Sequence, residues 1–481
     1  MSCWMVQANY YLQRATLHNS GSRHAREGYG KFQRKETNKM SDDTESNPLL
    51  KKMDSQILPD EVLEALTLKR RYAFVNANFM ALLRDEEKSF FNKIQRFCLK
   101  YERKTMEPNG ITHDDDFYPW IKDFGAKGYV TRGTNFDMVD VDYGSKYGLT
   151  YEFFRCLAVD LFDPSFNMAM GATVLCINPI LHHHENRDAP LKALKELVTG
   201  QEVGCICITE PTKGSDAVHL DTVAKRSEDG IRLTGVKCYN TNAPRSKYAV
   251  VYGTEDPAAP DSDKMMSQSL VVLPDDSVKV ERAYIPWVPR IQIGKETFNN
   301  TFVPNDRILC DVGKGKYGLF EGLVPERMGI AVLDIAEAWG AFTHAAIYTN
   351  IREQMGKEII KHQGVGFLLA DYYAKISNMT LAVLSFCREY DSLVKQFKGE
   401  IPGALTQALV VQASQLKYHC AILSERACYE LANLMGGAGV GDNTLMQDLL
   451  GISRIQEVVG GTRQIQQYIM SGAIRKLWKM S

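Results

Sequence analysis

The spacing of apolar residues changes twice along this chain, and these two changes constrain the fold more than any other feature. From about residue 61 to residue 204 the apolar residues recur at helical spacing, for example over Glu86 to Tyr101. Between residues 205 and 320 short apolar runs alternate with turn residues, which is typical of strands. From residue 321 to residue 481 long helical patterns return. The sequence therefore predicts an α+β protein with a helical domain, a β-domain and a second helical domain, in that order.

Turn residues place the elements within the last two segments. In the middle segment an Asp229-Gly230 turn and apolar runs over Tyr248 to Tyr252 and Ser269 to Leu273 predict hairpins. Four helices are predicted in the last segment, over Arg327 to Arg352, His362 to Lys395, Leu405 to Leu434 and Arg463 to Trp478. The last segment is therefore interpreted as a four-helix domain.

The charge balance excludes two broad classes of partner. Lys and Arg total 57 against 58 Asp and Glu, and the pI is near 6.8, so the chain has no global field to attract nucleic acid or an anionic membrane. No apolar run approaches the ~20 residues that cross a bilayer, so we expect no membrane span. An anionic substrate would have to meet a local positive site.

The cysteines indicate a reducing compartment rather than a metal centre. The chain has 11 cysteines, and the closest pair, Cys205 and Cys207, lies on a predicted strand without common metal-ligand spacing. We interpret these two and Cys238 as small buried thiols and expect no bound metal.

The first 60 residues differ in composition from the rest. Six basic residues between positions 14 and 35 outweigh Glu27 and Glu36, amid Ser, Thr and Asn, which suits a cleavable mitochondrial transit segment. A disordered tail, or a start codon misplaced upstream of Met40, explains the same composition equally well.

The most informative motif follows the first predicted strand. It reads Ile206-Cys-Ile-Thr-Glu-Pro-Thr-Lys-Gly-Ser215-Asp216, and Gly235-Val-Lys-Cys-Tyr-Asn-Thr241-Asn242 comes next. Backbone amides and hydroxyls in such a loop suit a polar heterocycle and a phosphate. The two stretches resemble the patterns T-E-P-x-x-G-S-D and G-x-K-x-W-I-T-N of the acyl-CoA dehydrogenase family. The resemblance extends from about residue 60 to the C-terminus through Phe302-Val-Pro, Gly313-Lys-Gly315, Glu326-Arg327, Arg352 with Gly356, His362-Gln363, Asn433 to Gly437 and Gly461 to Gln464.

The resemblance implies both a fold and a cofactor. The family has an all-α N-terminal domain, a middle β-barrel or sandwich domain and a C-terminal four-helix bundle, and it binds FAD. By resemblance, Ile208 and Thr209 meet the pyrimidine edge of the flavin, and Thr241 hydrogen-bonds near N5. Ser215 lies beside pyrophosphate and substrate, and Tyr239 replaces the family's tryptophan as an aromatic wall.

The resemblance also implies an oligomer. The remaining expected FAD contacts are Arg352, Gln363, Asn433, Gly436, Gly437, Thr462 and Gln464. A guanidinium fork suits a pyrophosphate, and glycines let a backbone approach the cofactor closely. In relatives some of these groups reach the FAD of a neighbouring subunit, so we expect a homodimer or homotetramer.

The chain departs from the family pattern at the catalytic base. Most relatives carry the base in a Y-E-G-T motif, where this chain reads Val459-Gly460-Gly461-Thr462. The isovaleryl-CoA and long-chain subset instead places its glutamate one residue before an arginine, which matches Glu326 and Arg327. Glu457, three positions upstream of the lost base, is expected to be solvated or a cap.

Glu326 is therefore predicted to be the catalytic base, with Arg327, Gly460 and Gly461 contacting substrate and the Gly460 amide polarising the thioester carbonyl. Two simpler interpretations remain: Glu326 stabilises a helix N-terminus, and Arg327 forms an exposed ion pair.

The predicted reaction is dehydrogenation of an acyl-CoA thioester to the 2-enoyl-CoA. The flavin N5 would accept the hydride, and electrons would pass to an electron-transfer flavoprotein in fatty acid or amino acid catabolism. The alternatives are a catalytically impaired scaffold or assembly subunit, and a flavin oxidase or monooxygenase on the same fold. The expected location is the mitochondrial matrix in a eukaryote and the cytoplasm otherwise. The acyl group is not specified by the sequence.

Overall fold

A computed structural model gives the architecture of most of the chain. It describes residues 60–102, 116–130, 148–182, 187–311, 313–398, 400–441 and 444–478. The basic segment that suits a transit peptide or a tail lies outside these residues.

The N-terminal part consists of helices, as predicted. They are α1 (Asp60–Ala65), α2 (Leu68–Phe79), α3 (Asp85–Cys98), α4 (Tyr118–Gly125), α5 (Leu149–Phe162), α6 (Pro164–His182) and α7 (Asp188–Val198). α3 begins where the Arg84 N–H donates to the Glu87 carboxylate, and its apolar face includes Phe90 and Ile94. α5 has buried residues on all its faces, so it is a core helix.

The middle part is a seven-stranded mixed sheet. Its strands are β1 (Gly204–Cys207), β2 (Val223–Arg226), β3 (Gly230–Thr241), β4 (Tyr248–Thr254), β5 (Met266–Val272), β6 (Val278–Arg282) and β7 (Ile293–Pro304). The predicted hairpin at Asp229-Gly230 joins β2 to β3, and β4 pairs antiparallel with β5. β1 pairs parallel with β4, a pairing that the turn signals did not predict.

The C-terminal part returns to helices. They are α8 (Gly315–Glu321), α9 (Leu323–Ile351), α10 (Gln363–Gln396), α11 (Gly403–Leu434), α12 (Met446–Gln456) and α13 (Arg463–Trp478), with a short hairpin of β8 (Glu353–Gln354) and β9 (Lys357–Glu358) after α9. All four predicted helices are present, and the 11-residue α12 is an addition. α9 packs against α5 and α11 in the core.

α9 is also part of a long apolar stretch. The stretch Gly315–Ile351 has the length and hydropathy of a bilayer-spanning helix, but its most apolar window is wholly buried in the protein. A core helix has the same properties.

Candidate active site

A cavity of about 130 Å³ lies between α5, α6 and α9. Glu326 from the first turn of α9 and Thr241 from the end of β3 both line it, together with Val459 from the loop before α13. The structure thus brings the predicted base, a predicted flavin contact and the residue before Gly460 to one cavity.

Glu326 is held in place by the start of its helix. Its backbone N–H donates to the Gly322 carbonyl oxygen at 3.0 Å, and its side chain is half-buried. Burial raises the pKa of Glu326 above its ordinary value, and the charges of Arg327 and Lys417 partly offset this. A carboxylate with these properties suits a general base.

Gly460 lies directly beside this carboxylate. A Cβ atom added to Gly460 would stand 3.8 Å from Glu326 Oε1, and it would collide with the side chain of Ile330. Gly460 has φ +64° and Gly461 has φ +92°, a backbone conformation that favours glycine. The Glu326 side chain therefore reaches the region from which a glutamate at position 460 would start.

The loop that carries these glycines is fixed by two buried side chains. Lys417 Nζ on α11 donates to the carbonyl oxygens of Glu457 at 3.2 Å and Gly461 at 3.1 Å. Gln466 Nε2 on α13 donates to the Gly461 carbonyl oxygen at 2.8 Å. No local pattern predicts a role for Lys417, because its partners lie 40 or more positions away.

Glu457 agrees with one of its two expected roles. It directly follows the last residue of α12 and is the C-cap of that helix, as the capping alternative predicts. It is 6% exposed and forms ion pairs with Arg454 and Arg463, so the alternative of a solvated residue is wrong. A single turn of α12 places Arg454 beside it, and Arg463 comes from the start of α13. Because both partners hold Glu457 outside the cavity lining, it does not compete with Glu326 for the role of base.

Arg327 is buried and is not among the residues that line the cavity. It is 3% exposed, and within the described part of the chain its Nε and Nη1 have no hydrogen-bond partner. Burial lowers its pKa, and Glu326 partly opposes this. The exposed ion pair offered as the simple interpretation is therefore wrong, whereas the predicted contact with substrate stays a prediction.

The predicted flavin contacts at the ends of β1 and β3 lie on adjacent segments. The Cys238 N–H donates to the Thr209 carbonyl oxygen at 2.9 Å, and Lys237 Nζ donates to the Ile208 carbonyl oxygen at 2.9 Å. Lys237 also pairs with Glu210 at 2.8 Å, and both side chains are buried. Glu210 and Lys237 lie within the two motifs but had no predicted role. In the structure they join the two segments.

Tyr239 and Ser215 are exposed near these segments. Tyr239 is 69% exposed with φ 60°, at a break in the β3–β7 register between Cys238 and Asn240. The irregularity turns the aromatic ring out of the sheet. Thr241 and the segment Ile208-Thr209 are half-buried. An exposed aromatic ring beside half-buried polar backbone fits a flat, polar cofactor ring next to the cavity.

The other predicted FAD contacts, called the outer group, lie outside the lining of the cavity. Arg352, Gln363, Asn433, Gly436, Gly437 and Gln464 are all exposed, and Thr462 is half-buried at the start of α13. The Ile359 N–H donates to the Arg352 carbonyl oxygen at 2.8 Å, which folds the connection to α10 back onto the end of α9. Ala438, just after the glycine pair, packs in the same apolar cluster as Ile351. None of these residues lines the cavity that holds Glu326.

The lining of the cavity includes charged residues that sequence analysis did not single out. Arg155 and Glu152 on α5 both line it and form a buried ion pair. Asp334, two turns along α9 from Glu326, is fully buried, and neither carboxylate oxygen has a hydrogen-bond partner among the described residues. Burial raises the pKa of Asp334 to about 8, although Lys417 opposes this.

The cysteine pair is buried, as expected. The Sγ atoms of Cys205 and Cys207 lie 3.7 Å apart in the core of the β-part, and both contact the carboxyl group of Glu296. Asn240 donates to the other oxygen of Glu296 at 2.6 Å. Burial raises the pKa of Glu296, and the hydrogen bonds from Asn240 and the two thiols partly oppose this.

Two family models match the chain. The acyl-CoA dehydrogenase C-terminal domain matches residues 313–474, and the acyl-CoA dehydrogenase middle domain matches residues 205–287. The mitochondrial isovaleryl-CoA dehydrogenase of Solanum tuberosum is 26% identical over 412 residues, which cover 83% of this chain and 92% of the relative. The CarC subunit of the caffeyl-CoA reductase-Etf complex of Acetobacterium woodii is 26% identical over 286 residues, or 59% of this chain and 72% of the relative.

Solved structures share the fold. Butyryl-CoA dehydrogenase from Megasphaera elsdenii superposes with a TM-score of 0.72 at 21% identity, and the match covers 82% of this chain and 98% of that one. The prolyl acyl carrier protein oxidase AnaB superposes with a TM-score of 0.68 at 18% identity, covering 82% and 99%. The predicted three-part fold is confirmed by these likenesses.

Proposed function

Because this chain belongs to the acyl-CoA dehydrogenase family, whose members use FAD, we propose that it dehydrogenates an acyl-CoA thioester to the 2-enoyl-CoA with Glu326 as the base. One observation carries the proposal: the half-buried Glu326 carboxylate lines the cavity with Thr241 and lies 3.8 Å from the position of a Cβ at Gly460. The base is thus supplied by α9 where the Y-E-G-T loop lacks it.

In this proposal Glu326 removes the α-proton of the thioester. Its raised pKa matches that of a base poised nearer to neutral pH than an exposed glutamate. Bound FAD would accept the β-hydrogen as hydride at N5. The apolar side chains around the cavity, such as Ile330 and Leu333, exclude water from the acidic α-carbon while the proton moves.

The Gly460 amide is assigned to the thioester carbonyl. A donor aimed at that oxygen stabilises the enolate charge that develops as the proton leaves, and loss of such a donor typically slows a reaction by roughly 10²–10³-fold. Lys417 and Gln466 fix the loop that carries the amide, so the donor is placed before substrate arrives. Relocating the carboxylate to Glu326 leaves this donor in place.

The direct test compares Glu326→Gln with Glu86→Gln. Glu86 is an exposed glutamate in the first turn of α3, so the control removes the same charge from an equivalent position of another helix. Acyl-CoA should bleach the flavin of the parent and of Glu86→Gln under anaerobic conditions, and it should bleach Glu326→Gln at least about 10²-fold more slowly. Equal bleaching by Glu326→Gln and the parent would refute the assignment of the base.

The electron acceptor is proposed to be an electron-transfer flavoprotein. Support comes from the relative named as a subunit of an Etf complex. An oxidase or monooxygenase would instead consume oxygen. Peroxide release in air at the rate of flavin reduction would therefore overturn the proposal that an electron-transfer flavoprotein is the acceptor. A scaffold or assembly subunit without turnover would show no bleaching of a flavin when acyl-CoA is added.

The outer group of predicted FAD contacts supports a homodimer or homotetramer. Large apolar side chains stand exposed within four positions along the chain of its members: Met355 is 93% exposed, and Phe367, Val440 and Tyr468 are each 69% exposed. Large exposed apolar side chains of this kind are typical of an interface. We propose that a neighbouring subunit covers them and completes the FAD site. The molar mass of the flavin-bound protein, measured by light scattering, would test this.

The location is inferred from relatives. The isovaleryl-CoA dehydrogenases of Oryza sativa and Solanum tuberosum are named as mitochondrial. We propose the mitochondrial matrix where this chain comes from a eukaryote, and imaging of a C-terminal fusion would test it.

A further inference from the structure

Two thiols and a carboxyl group meet in the core of the β-part. Cys205 and Cys207 are two positions apart on β1, so their side chains project from the same face of the strand. Glu296 reaches them from β7, 91 and 89 positions along the chain, and all three residues are 0% exposed. The expectation of no bound metal rested on the spacing of the cysteines, which gives no information about this third group.

The three atoms are spaced like three corners of a tetrahedral zinc site. Cys205 Sγ lies 3.7 Å from both Cys207 Sγ and Glu296 Oε1, and Cys207 Sγ lies 3.4 Å from Glu296 Oε1. With Zn–S bonds of about 2.3 Å and Zn–O bonds of about 2.0–2.2 Å, the edges of a tetrahedron are about 3.8 Å between two sulfurs and about 3.5–3.7 Å between sulfur and oxygen. The observed distances therefore require little movement of the side chains to bind an ion.

The carboxyl group is also held in one orientation. Asn240 Nδ2 donates to Glu296 Oε2 at 2.6 Å, while Oε1 is the oxygen that contacts both thiols. The backbone of Glu296 is fixed by pairing with Lys237 on β3 and Val280 on β6. A hydrogen bond to the outer oxygen of a ligating carboxylate orients it and raises metal affinity. The residues around the thiols thus supply the support that a metal ligand needs.

A bound cation would also compensate the burial of this carboxyl group. The two cysteines belong to an apolar core cluster that includes Leu233, and the S–H group is a weak hydrogen-bond donor. A buried carboxyl group with such partners is unfavourable, whereas coordination of a cation replaces weak contacts with strong bonds. The charge of Lys237 interacts with Cys207, so it stabilises the negative charge that two thiolates and a carboxylate leave on a divalent ion.

We infer that Cys205, Cys207 and Glu296 form a structural zinc site, in which both carboxylate oxygens of Glu296 bind the ion. Two thiolates and a carboxylate suit Zn²⁺ better than copper(I), which prefers sulfur ligands, or Mg²⁺, which takes oxygen ligands. Binding releases the protons of the two thiols, and that of the carboxyl group when it carries one, and oxidises no group. The ion connects β1 to β7, and it is independent of the proposed dehydrogenation because its ligands do not line the cavity of Glu326.

The test refolds the chain, because buried ligands admit an ion during folding. The protein is unfolded with a reductant and a chelator, freed of both, refolded with FAD and Zn²⁺, and desalted. Plasma mass spectrometry should then find about one zinc ion per chain. The parent refolded with Co²⁺ should absorb strongly in the red, where oxidised flavin does not absorb, as tetrahedral cobalt thiolate sites do. Less than about 0.1 zinc ion per chain in the refolded parent would overturn the inference, whether or not any variant folds.

Paired variants locate the ion. The double variant Cys205→Ala with Cys207→Ala should hold at least about tenfold less zinc than the parent after the same refolding. The control Cys420→Ala with Cys428→Ala removes two buried thiols from α11 and should hold as much zinc as the parent. Equal zinc in the two double variants, or cobalt absorption as weak as that of the hydrated ion in the parent, would overturn the site.

Discussion

The Cδ1 atom of Ile330 occupies the space into which a side chain at Gly460 would project. Ile330 is one turn beyond Glu326 on α9, and a Cβ at position 460 would also stand 3.8 Å from the Glu326 carboxylate. The proposed base and the residue that excludes a side chain at position 460 thus come from the same face of one helix. This explains in steric terms why the loop carries glycine at this position.

Gly460→Ala should destabilise the protein, and Ile330→Val should relieve part of the loss. The left-handed backbone at Gly460 costs an alanine roughly 1–2 kcal/mol, and overpacking against Ile330 adds about 1–3 kcal/mol. Ile330→Val removes Cδ1 and costs roughly 0.5–1.5 kcal/mol on its own. Denaturant unfolding of the two single variants and the double variant should therefore give a favourable coupling energy. Strictly additive losses would show that the two side chains do not compete for the same space.

Lys417→Met should shift the acid limb of the kcat/KM profile to higher pH. The charge of Lys417 lowers the pKa of Glu326, so its removal raises that pKa further, and the base is deprotonated only at higher pH. The variant also loses both hydrogen bonds to the glycine loop, so the plateau rate should fall. Lys375→Met, at an exposed position on α10, should leave the profile unchanged. An unshifted acid limb in Lys417→Met would mean that the two groups do not interact.

Asp334→Asn should change how stability depends on pH. The pKa of Asp334 is about 8 in the folded chain, against about 3.9 for an unfolded aspartate. The folded state therefore binds more protons between these values, and the free energy of unfolding falls as pH rises from about 4 to about 8. Between pH 5 and pH 8.5 the free energy of unfolding in urea should fall less for the variant than for the parent. An equal fall for both proteins would assign the pH dependence to other groups.

Arg352→Ala should lower the flavin content without unfolding the chain. The side chain is exposed at the end of α9, so its removal should change the free energy of unfolding of the apoprotein by less than about 0.5 kcal/mol. Loss of a guanidinium contact to pyrophosphate should release FAD during gel filtration. Arg70→Ala, at an exposed site on α2, is the matched control. If Arg352→Ala retained as much FAD as the control, the assignment of Arg352 to the cofactor site would be wrong.

The long elements were predictable because their signals are local. α9, α10 and α11 each extend over 29 or more residues, so helical periodicity alone predicted them. α12, with 11 residues, was not predicted, and the parallel pairing of β1 with β4 depends on residues more than 40 positions apart. Sheet pairing of that kind is fixed by tertiary packing and has no short-range signal.

The site was predictable only where a motif carries it. Glu326 and Thr241 followed from a resemblance, and the structure brings both to one cavity. The burial of Glu457 was not predicted, because its partner Arg463 belongs to the next helix, which no local pattern connects to it. Glu152 and Arg155 resemble an ordinary surface pair at i and i+3, and only the packing of α5 against α6 and α9 shows that they are buried.

Glu326 and Arg352 stand near opposite ends of α9, a continuous helix of 29 residues. At 1.5 Å per residue their backbones are roughly 40 Å apart, and each residue between them turns the helix by about 100°. Deletion or insertion of a single residue within α9 would thus rotate the carboxylate away from its cavity while the guanidinium group kept its direction, or the reverse. With Glu326 as the proposed base and Arg352 as a proposed FAD contact, the number of residues between them decides whether both groups reach their sites, so variation in length should be tolerated in the loops but not between these two positions.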